Sequence, residues 1–462
     1  MVSKSLPEQA SPRAGLVLDD LEHLVERLRH DDGVDSDAGR IDLITALERV
    51  KGAAAAAQAR LTAAFADSQR HTGTSTGAGA GRSKRAEEKL GSSIAHQIAL
   101  ARRDSPQRGH RHVGFARALV EEMPHTLAAL TDGQISEWRA TILVRETAIL
   151  SAEHRRRVDA ELAGRLAKLG DRGVETEAKK IAYRLDPESV VRRARRAEGD
   201  RRVTIRPAPD TMSHVTGLLP VAQGVAVHAA LRKHADTLRA AGDPRTRGQI
   251  MADTFVERLT GQTTAEAVPI SVELVMTDRT LFGSDKEPAR ILGHGPIPAA
   301  LARRLVRGGP DLDQARVWIR RLYTHPTTGA LTAMESRHRI FPAPLRKFLV
   351  IRDDVCRTPW CDAPIRHADH VEPVADGGET TAANGQGLCE ACNQAKEATG
   401  WRHTATTERA GPITIHTPTG HTYTSRPPDL PDPRHPHART RAAPGWEHSP
   451  LEAQLQRLIT TA

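Results

Sequence analysis

The four cysteines of the chain lie close together, at Cys356, Cys361, Cys389 and Cys392. Four residues separate the first pair, 27 separate the two pairs, and two separate the last pair. Two closely spaced pairs can converge as four thiolates around one zinc ion. The alternatives are disulfides and free thiols, and disulfides are rare in the cytosol, where we expect this chain. Because four thiolates leave no open coordination position, the zinc is expected to stabilise the fold and not to catalyse a reaction.

Polar residues between and beside these cysteines are suited to catalysis. Asp369 and His370 adjoin each other after the first pair, Asn384 lies in the following loop, and Asn393 follows the last cysteine. Hydrolysis of a phosphodiester needs a metal ion to neutralise the phosphate and a base to activate water. Asp and Asn oxygens suit a hard cation, and an imidazole suits the base. We therefore expect Asp369 and Asn393 to hold Mg²⁺ or a similar ion, with His370 as the general base.

This segment resembles the HNH nuclease superfamily. Members have a ββα-metal fold with Asp-His on a first strand, Asn in the loop, and His or Asn on a helix after Cys-x-x-Cys. Residues 355–400 agree with that pattern in order, spacing and cysteine framing, and the last position is Asn393. The resemblance implies a metal-dependent endonuclease that cleaves DNA. It also implies that Asn384 bonds the backbone and fixes the loop that carries His370.

A helix expected over residues 388–398 places Asn393 and Lys396 on the same face as the last two cysteines. Lys396 is therefore either a phosphate contact or a solvated residue of that face. His367, two residues before Asp369, is more typical of a surface histidine than of a DNA contact.

The stretch before the site is basic, with seven cations and three acids over residues 337–366. The cations are Arg337, Arg339, Arg346, Lys347, Arg352, Arg357 and Arg366. Such a local excess could hold backbone phosphates without reading the DNA sequence. Within it, the candidate DNA contacts are Arg346, Lys347 and Arg366.

Further elements must frame this site. A short helix is expected at 342–354 and a closing hairpin at 413–425. The nuclease-like module should therefore occupy residues 336–425, with its core at 355–400. A Pro-rich tail over 426–462 is expected to be disordered, apart from an optional last helix.

The preceding part of the chain has mainly helical patterns. A disordered tail at 1–14 should be followed by a helical domain over 15–335, interrupted by a flexible Gly/Ser/Thr-rich linker at 71–83. Helices are expected at 15–30, at 40–69, several times between 84 and 199, and at 220–241 and 244–261. Small strands are expected as a hairpin after Asp200, a half-buried strand at 270–276 and a hairpin at 315–335.

Two details of the helical domain can be checked individually. In the helix at 40–69, spacing by three and four predicts a buried stripe. Its members are Leu43, Leu47, Val50, Ala54, Ala57, Leu61 and Ala64. Ser105, which precedes a proline, and Ser151 are expected to cap helix starts.

The composition favours helices as well. With 6 Phe, 5 Trp and 3 Tyr among 462 residues, the cores must consist of Ala, Leu, Val and Ile, which suit close-packed helices. The net charge of +9 permits an anionic partner but does not require one. The N-terminal residues lack the apolar segment of a signal peptide, and no apolar run is long enough to span a bilayer. We expect a cytoplasmic protein without membrane contact.

The first part of the chain carries a second resemblance. The segments SEWRATILVRET, RLDPESVVRRARRA, LVMTDRTLFG and IFPAPLRKFLVIRDD are similar to the family that pairs a domain of unknown function, number 222, with a C-terminal HNH module. The similarity spans most of residues 15–400. It implies an architecture but no mechanism for the N-terminal domain.

The sequence therefore predicts an α+β protein, with a mainly α-helical N-terminal domain, small β elements and a C-terminal zinc-stabilised ββα-metal module. The expected function is metal-dependent cleavage of DNA, and the expected partner is double-stranded DNA. The alternative is a non-catalytic zinc module that binds nucleic acid within a regulatory or assembly protein.

Overall fold

The computed structural model describes residues 12–29, 36–72, 83–264, 274–277, 280–281, 286–292, 294–307, 341–405 and 411–428. Several predictions fall wholly or mainly on other residues: the tail at 1–14, the linker at 71–83, the hairpin at 315–335 and the tail at 426–462. Of the predicted linker, the first two residues belong to a helix that ends at Thr72, and Ser83 caps the next helix. Helix also begins at Pro12, inside the predicted N-terminal tail.

The described residues are mainly helical with small sheets, which confirms the predicted fold class. The helices before the first strand are α1 (Pro12–Arg29), α2 (Asp37–Thr72), α3 (Lys84–Ala101), α4 (Pro106–Arg117), α5 (Pro124–Thr131), α6 (Glu137–Thr147), α7 (Ala152–Leu162), α8 (Asp171–Leu185) and α9 (Pro187–Gly199). A π-helical turn over Ala118–Glu122 follows α4. Ser151 caps α7 by accepting a hydrogen bond from the His154 amide at 3.1 Å, whereas Ser105 makes no such side-chain bond.

The buried face of α2 differs from the predicted stripe. Its core residues are Ala55, Ala56, Ala59, Ala63 and Ala66, whereas Leu61 is 70% exposed. Close approach of the backbones explains the difference: a β-carbon at Gly52 would lie 3.1 Å from the Cα of Gly133. Helices that pack this tightly bury small residues and leave larger ones outside. The bundle core thus consists of Ala, Leu, Val, Ile and Met.

A hairpin and a helix pair follow the bundle. Strand β1 (Arg202–Pro207) pairs antiparallel with β2 (Ser213–Leu218), as the alternation after Asp200 predicts. Helices α10 (Val221–Ala240) and α11 (Arg247–Thr260) pack on each other. The next elements are β3 (Leu274–Val275), β4 (Ala289–Ile291), β5 (Gly295–Ile297) and α12 (Ala299–Arg307). The described part of the predicted strand at 270–276 is thus only two residues of strand.

The C-terminal module begins with α13 (Ala343–Asp353). Its remaining elements are β6 (His367–His370), β7 (Gly385–Leu388), α14 (Glu390–Lys396), β8 (Arg402–Ala405), β9 (Ile413–His416) and β10 (Thr422–Ser425). Strands β6 and β7 form one antiparallel pair, and β8, β9 and β10 form a three-stranded sheet in the order β10-β9-β8. The sequence predicted the β9–β10 hairpin but not β8.

Helix α14 is shorter than the predicted 388–398. Cys389 has extended backbone and caps the helix, because its sulfur accepts a hydrogen bond from the Cys392 amide. Among the described helices, none carries an apolar stretch that could cross a membrane.

Candidate metal centre and active site

The four cysteine sulfurs form one cluster. Cys356 and Cys361 follow α13, and Cys389 and Cys392 lie at the start of α14. The four sulfur atoms all lie within 4.8 Å of one another, and none is in a disulfide. Cys361 Sγ lies 3.7 Å from the sulfurs of both Cys389 and Cys392. Zinc–sulfur bonds of about 2.3 Å in a tetrahedron require sulfur–sulfur distances of about 3.8 Å. The cluster therefore fits a structural zinc ion, as the spacing predicts.

Asp369 and His370 lie at the end of β6, and both are half-buried. His370 Nε2 lies 2.9 Å from the hydroxyl of Thr380, which is buried. The imidazole also packs on the Phe341 ring, with centroids 4.4 Å apart. These two contacts fix the orientation of the ring.

Burial lowers the pKa of His370; the negative charge of Asp369 opposes this effect, and the positive charge of Lys396 adds to it. An imidazole with a lowered pKa is neutral at pH 7. It can therefore accept a proton, which is what a general base requires.

Asn384 fixes the loop between β6 and β7. Its Nδ2 donates to the carbonyls of Glu372 at 3.0 Å and Glu379 at 2.8 Å, and its Oδ1 accepts from the Glu372 amide at 2.8 Å. The role that the resemblance implies for this residue agrees with these bonds. The loop packs so closely that a β-carbon at Gly378 would lie 1.9 Å from the Glu372 carbonyl oxygen.

Asn393 lies on α14, three residues before Lys396. Its Oδ1 is buried and makes no hydrogen bond within the described part of the chain. A buried amide oxygen without a partner costs free energy unless a ligand satisfies it. An oxygen of this kind, together with the Asp369 carboxylate, suits a hard divalent cation.

The structure corrects the prediction for Lys396. Its side chain is buried, and Nζ donates to Asp369 Oδ2 at 2.7 Å and to the His370 carbonyl. The ammonium contacts both Asp369 and His370 because α14 packs on β6. Lys396 is therefore neither a solvated residue nor an exposed phosphate contact.

The basic stretch divides into surface and buried cations. Arg346 and Arg366 are exposed, and the Arg346 guanidinium donates to the Arg366 carbonyl at 2.9 Å. Lys347, on the same helix as Arg346, is half-buried. Arg352 and Arg357 are each 3% exposed and pair with the buried carboxylate of Asp353. These two arginines stabilise the module and cannot hold DNA. Arg337 and Arg339 lie outside the described residues.

Sequence reasoning missed several residues of the site. Thr380 orients His370, and Gln386 and His403 form a buried hydrogen-bonded pair beneath Asp369. No motif marks these three residues, since their roles depend on which strands pair.

Two protein families match the chain. The family described as "Domain of unknown function (DUF222)" matches residues 44–353, and the family described as "HNH endonuclease" matches residues 355–399. The second match covers the cysteine cluster, Asp369, His370, Asn384 and Asn393. It agrees with the resemblance that these residues carry.

The curated relatives come from Mycobacterium tuberculosis. Uncharacterized protein Rv3776 is 37% identical over 146 residues, which are 31% of this chain and 25% of that protein. Uncharacterized protein Rv2100 is 35% identical over 145 residues, which are 30% of this chain and 24% of that protein. The chain thus spans about a quarter of the length of the curated relatives that it matches. No solved structure matches it significantly.

Proposed function

Since the chain belongs to the DUF222 family and carries an HNH endonuclease module after that domain, we propose that it is a metal-dependent endonuclease that hydrolyses phosphodiester bonds of double-stranded DNA. The observation that carries the proposal is the setting of His370. This imidazole is half-buried, adjoins a carboxylate and is held by a threonine hydroxyl.

His370 is the proposed general base. Because Thr380 and Phe341 fix the ring, the imidazole can remove a proton from water without first ordering itself. Its lowered pKa keeps it unprotonated at neutral pH. Asn384 holds the loop that contains Thr380, and so supports this arrangement from the backbone.

Asp369 and Asn393 are the proposed ligands of the catalytic cation. The unpartnered Asn393 Oδ1 and the Asp369 carboxylate provide hard oxygen ligands, which fit Mg²⁺ or a similar ion. When bound, such an ion supplies neutralisation of the phosphate charge. The exposed Arg346 and Arg366 would hold neighbouring phosphates.

One observation favours a second function, a zinc module that binds nucleic acid without cleaving it. The Lys396 ammonium lies 2.7 Å from Asp369 Oδ2, and it already neutralises the carboxylate that should hold the cation. In that case His370 and Asp369 would not be needed for nucleic-acid binding, and the cysteines would matter only for folding.

Plasmid cleavage by the zinc-loaded full chain separates the two functions. Supercoiled DNA is incubated with and without Mg²⁺ or Mn²⁺, using the wild type, His370→Ala, Asp369→Ala and, as a matched control, the exposed His421→Ala. The nuclease proposal expects metal-dependent cutting that His370→Ala abolishes and His421→Ala retains. Asp369→Ala should lose cutting but recover part of it at high Mn²⁺, because the lost residue binds metal. Wild-type cutting by His370→Ala, or DNA binding without any cutting by the wild type, would favour the second function.

A further inference from the structure

A buried glutamine joins three strands beneath the site. Gln386 on β7 lies directly opposite Asp369 in the β6–β7 pair and is fully buried. Its Nε2 lies 3.4 Å from Asp369 Oδ2 and 3.2 Å from the His370 carbonyl oxygen. Its Oε1 lies 3.1 Å from Nδ1 of His403 on β8. One side chain thus contacts Asp369, His370 and a third strand.

The chemistry of its neighbours sets the orientation of this amide. A carboxylate oxygen and a carbonyl oxygen only accept hydrogen bonds, so Nε2 must face Asp369 and His370. Oε1 then faces His403, whose Nδ1 must carry the proton. Burial lowers the pKa of His403 to about 3, and the charges of Lys396 and His416 act in the same direction. His403 is therefore neutral at pH 7, with its one ring proton on Nδ1.

A second donor converges on the same two oxygens. Lys396 Nζ donates to Asp369 Oδ2 and to the His370 carbonyl, from the opposite element α14. Asp369 Oδ2 therefore accepts two hydrogen bonds. Oδ1 makes none within the residues that the structure describes, so it is the oxygen that Asp369 can offer to a cation.

We propose that Gln386, held by His403, is a positioning residue that fixes the Asp369 carboxylate and the His370 backbone for cation binding. The proposal rests on the proposed function, because it assigns Gln386 a role toward that same site. Groups that orient a metal ligand by hydrogen bonds typically change metal affinity or activity by about 10- to 100-fold when removed.

The first test replaces the amide. Gln386→Met keeps a side chain of similar length but has no N–H to donate. On the zinc-loaded full chain, we expect Mn²⁺ affinity, followed by electron paramagnetic resonance, and the plasmid cleavage rate each to fall by about 10- to 100-fold. Bound zinc should not change, because the side-chain hydrogen bonds of Gln386 go to Asp369, His370 and His403.

The second test leaves Gln386 in place and changes its support. His403→Leu removes the donor to Oε1, so the amide loses the contact on β8 that holds it in place. His403→Asn also loses the ring but keeps an N–H near the position of Nδ1. We expect His403→Leu to weaken Mn²⁺ binding and His403→Asn to restore most of it. The double variant Gln386→Met/His403→Leu should bind Mn²⁺ no more weakly than Gln386→Met, because both changes act through one amide.

The outcomes separate positioning from simple packing. If the variants unfold at lower urea concentration but keep wild-type Mn²⁺ affinity and cleavage rate, Gln386 is structural and the inference is overturned. If the wild type binds Mn²⁺ and Gln386→Met weakens that binding, yet no variant cuts DNA, the inference stands and the proposed nuclease function fails. A wild type that binds no Mn²⁺ overturns both. If Gln386→Met does not fold, the comparison of His403→Leu with His403→Asn decides alone.

Discussion

The indole Nε1 of Trp401 donates a hydrogen bond to the hydroxyl of Ser93 at 2.8 Å, across 308 positions of the chain. Ser93 lies on α3 of the helical bundle, and Trp401 immediately precedes β8 of the nuclease-like module. The indole also meets the buried ring of His96 edge-on, with centroids 6.4 Å apart. Helix α3 packs on α14, which carries Asn393 and Lys396. The nuclease-like module is therefore built against the bundle and stabilised by it.

Removal of the Trp401–Ser93 hydrogen bond from either side should destabilise the module by a similar amount. Trp401→Phe leaves the buried Ser93 hydroxyl unpaired, and Ser93→Ala leaves the indole N–H unpaired. Each change should lower the free energy of unfolding of the module by about 1–2 kcal/mol. Urea unfolding of the zinc-loaded chain, followed by proteolysis of the module, measures this effect.

The control is Trp138→Phe, which alters an exposed indole in the bundle and should have no effect. The double variant Trp401→Phe/Ser93→Ala should be less destabilised than the sum of the single changes, because neither group is then left alone. Additive losses would show that the two side chains do not interact.

Zinc removal should unfold the core of the nuclease-like module, residues 355–400, and leave the helical bundle intact. Cys356, Cys389 and Cys392 form the buried core of this cluster together with Leu388, and the partly buried Cys361 packs against them. A region this small has too little apolar area to fold without its metal. Among the residues that the structure describes, none from the module belongs to the bundle core. After chelation, or in Cys389→Ser, circular dichroism should retain most helix while proteolysis cuts between residues 355 and 400. A protease-resistant module without zinc would contradict the assignment.

The cysteine cluster could be predicted from the sequence, and so could the location of Asp369 and His370 on one strand, because their local spacing is independent of the remaining fold. Asn393 could be placed on a helix for the same reason. The position of Lys396 could not be predicted. Periodicity placed it on a helix face, but only the packing of α14 on β6 shows that this face is buried.

Long-range packing also explains the other errors. The buried face of α2 follows its small residues because Gly52 lies against Gly133, and no local pattern in α2 contains that contact. Strand β8 is short, and its antiparallel pairing with β9 is not indicated by periodicity. Gln386 and His403 meet only because this sheet lies beside the β6–β7 pair.

The carboxylate of Asp353 is the centre of a buried charge cluster. Oδ1 accepts from Arg352 Nε at 2.7 Å and from Arg357 Nη1 at 3.0 Å, and Oδ2 accepts from the Gly387 amide at 2.7 Å. Asp353→Asn keeps the shape but leaves two buried guanidinium groups without their counter-charge. We expect a loss of about 3–5 kcal/mol in the free energy of unfolding of the module. In urea denaturation, the exposed Asp362→Asn should match the wild type. A loss below 1 kcal/mol, taken as about the value of a surface pair, would contradict this role for Asp353.

The exposed arginines beside the site should determine affinity and not chemistry. Arg346→Gln and Arg366→Gln should each weaken duplex DNA binding and lower the slope of log affinity against log salt by about 1. Cleavage at saturating DNA should stay near that of the wild type. Fluorescence anisotropy over a salt series measures the slope. Arg258→Gln, an exposed charge change on α11, serves as the control for net charge. An equal effect of all three variants would mean that the module surface has no special share in binding.

The buried His403 should make the module less stable in acid. Its pKa is about 3 in the folded chain, against an ordinary value of 6.5, because burial disfavours the imidazolium. Between these pH values the unfolded chain binds a proton that the folded chain does not. The free energy of unfolding should therefore fall as the pH decreases, by about 1.4 kcal/mol per pH unit once the pH is well below 6.5. Above pH 7 this contribution to stability is fully present.

Replacement of the imidazole isolates this contribution. Acid also protonates the cysteine thiolates and releases zinc, but it does so in every variant, so the difference between two variants removes that effect. His403→Asn cannot titrate and should unfold with a smaller pH slope than the wild type, by about 1 kcal/mol per pH unit between pH 6 and 4.5. The exposed His421→Asn should keep the wild-type slope. Urea unfolding in excess zinc at several pH values gives these slopes. If His403→Asn and the wild type had the same slope, the imidazole would titrate alike in the folded and unfolded chains, and burial would not lower the pKa of His403.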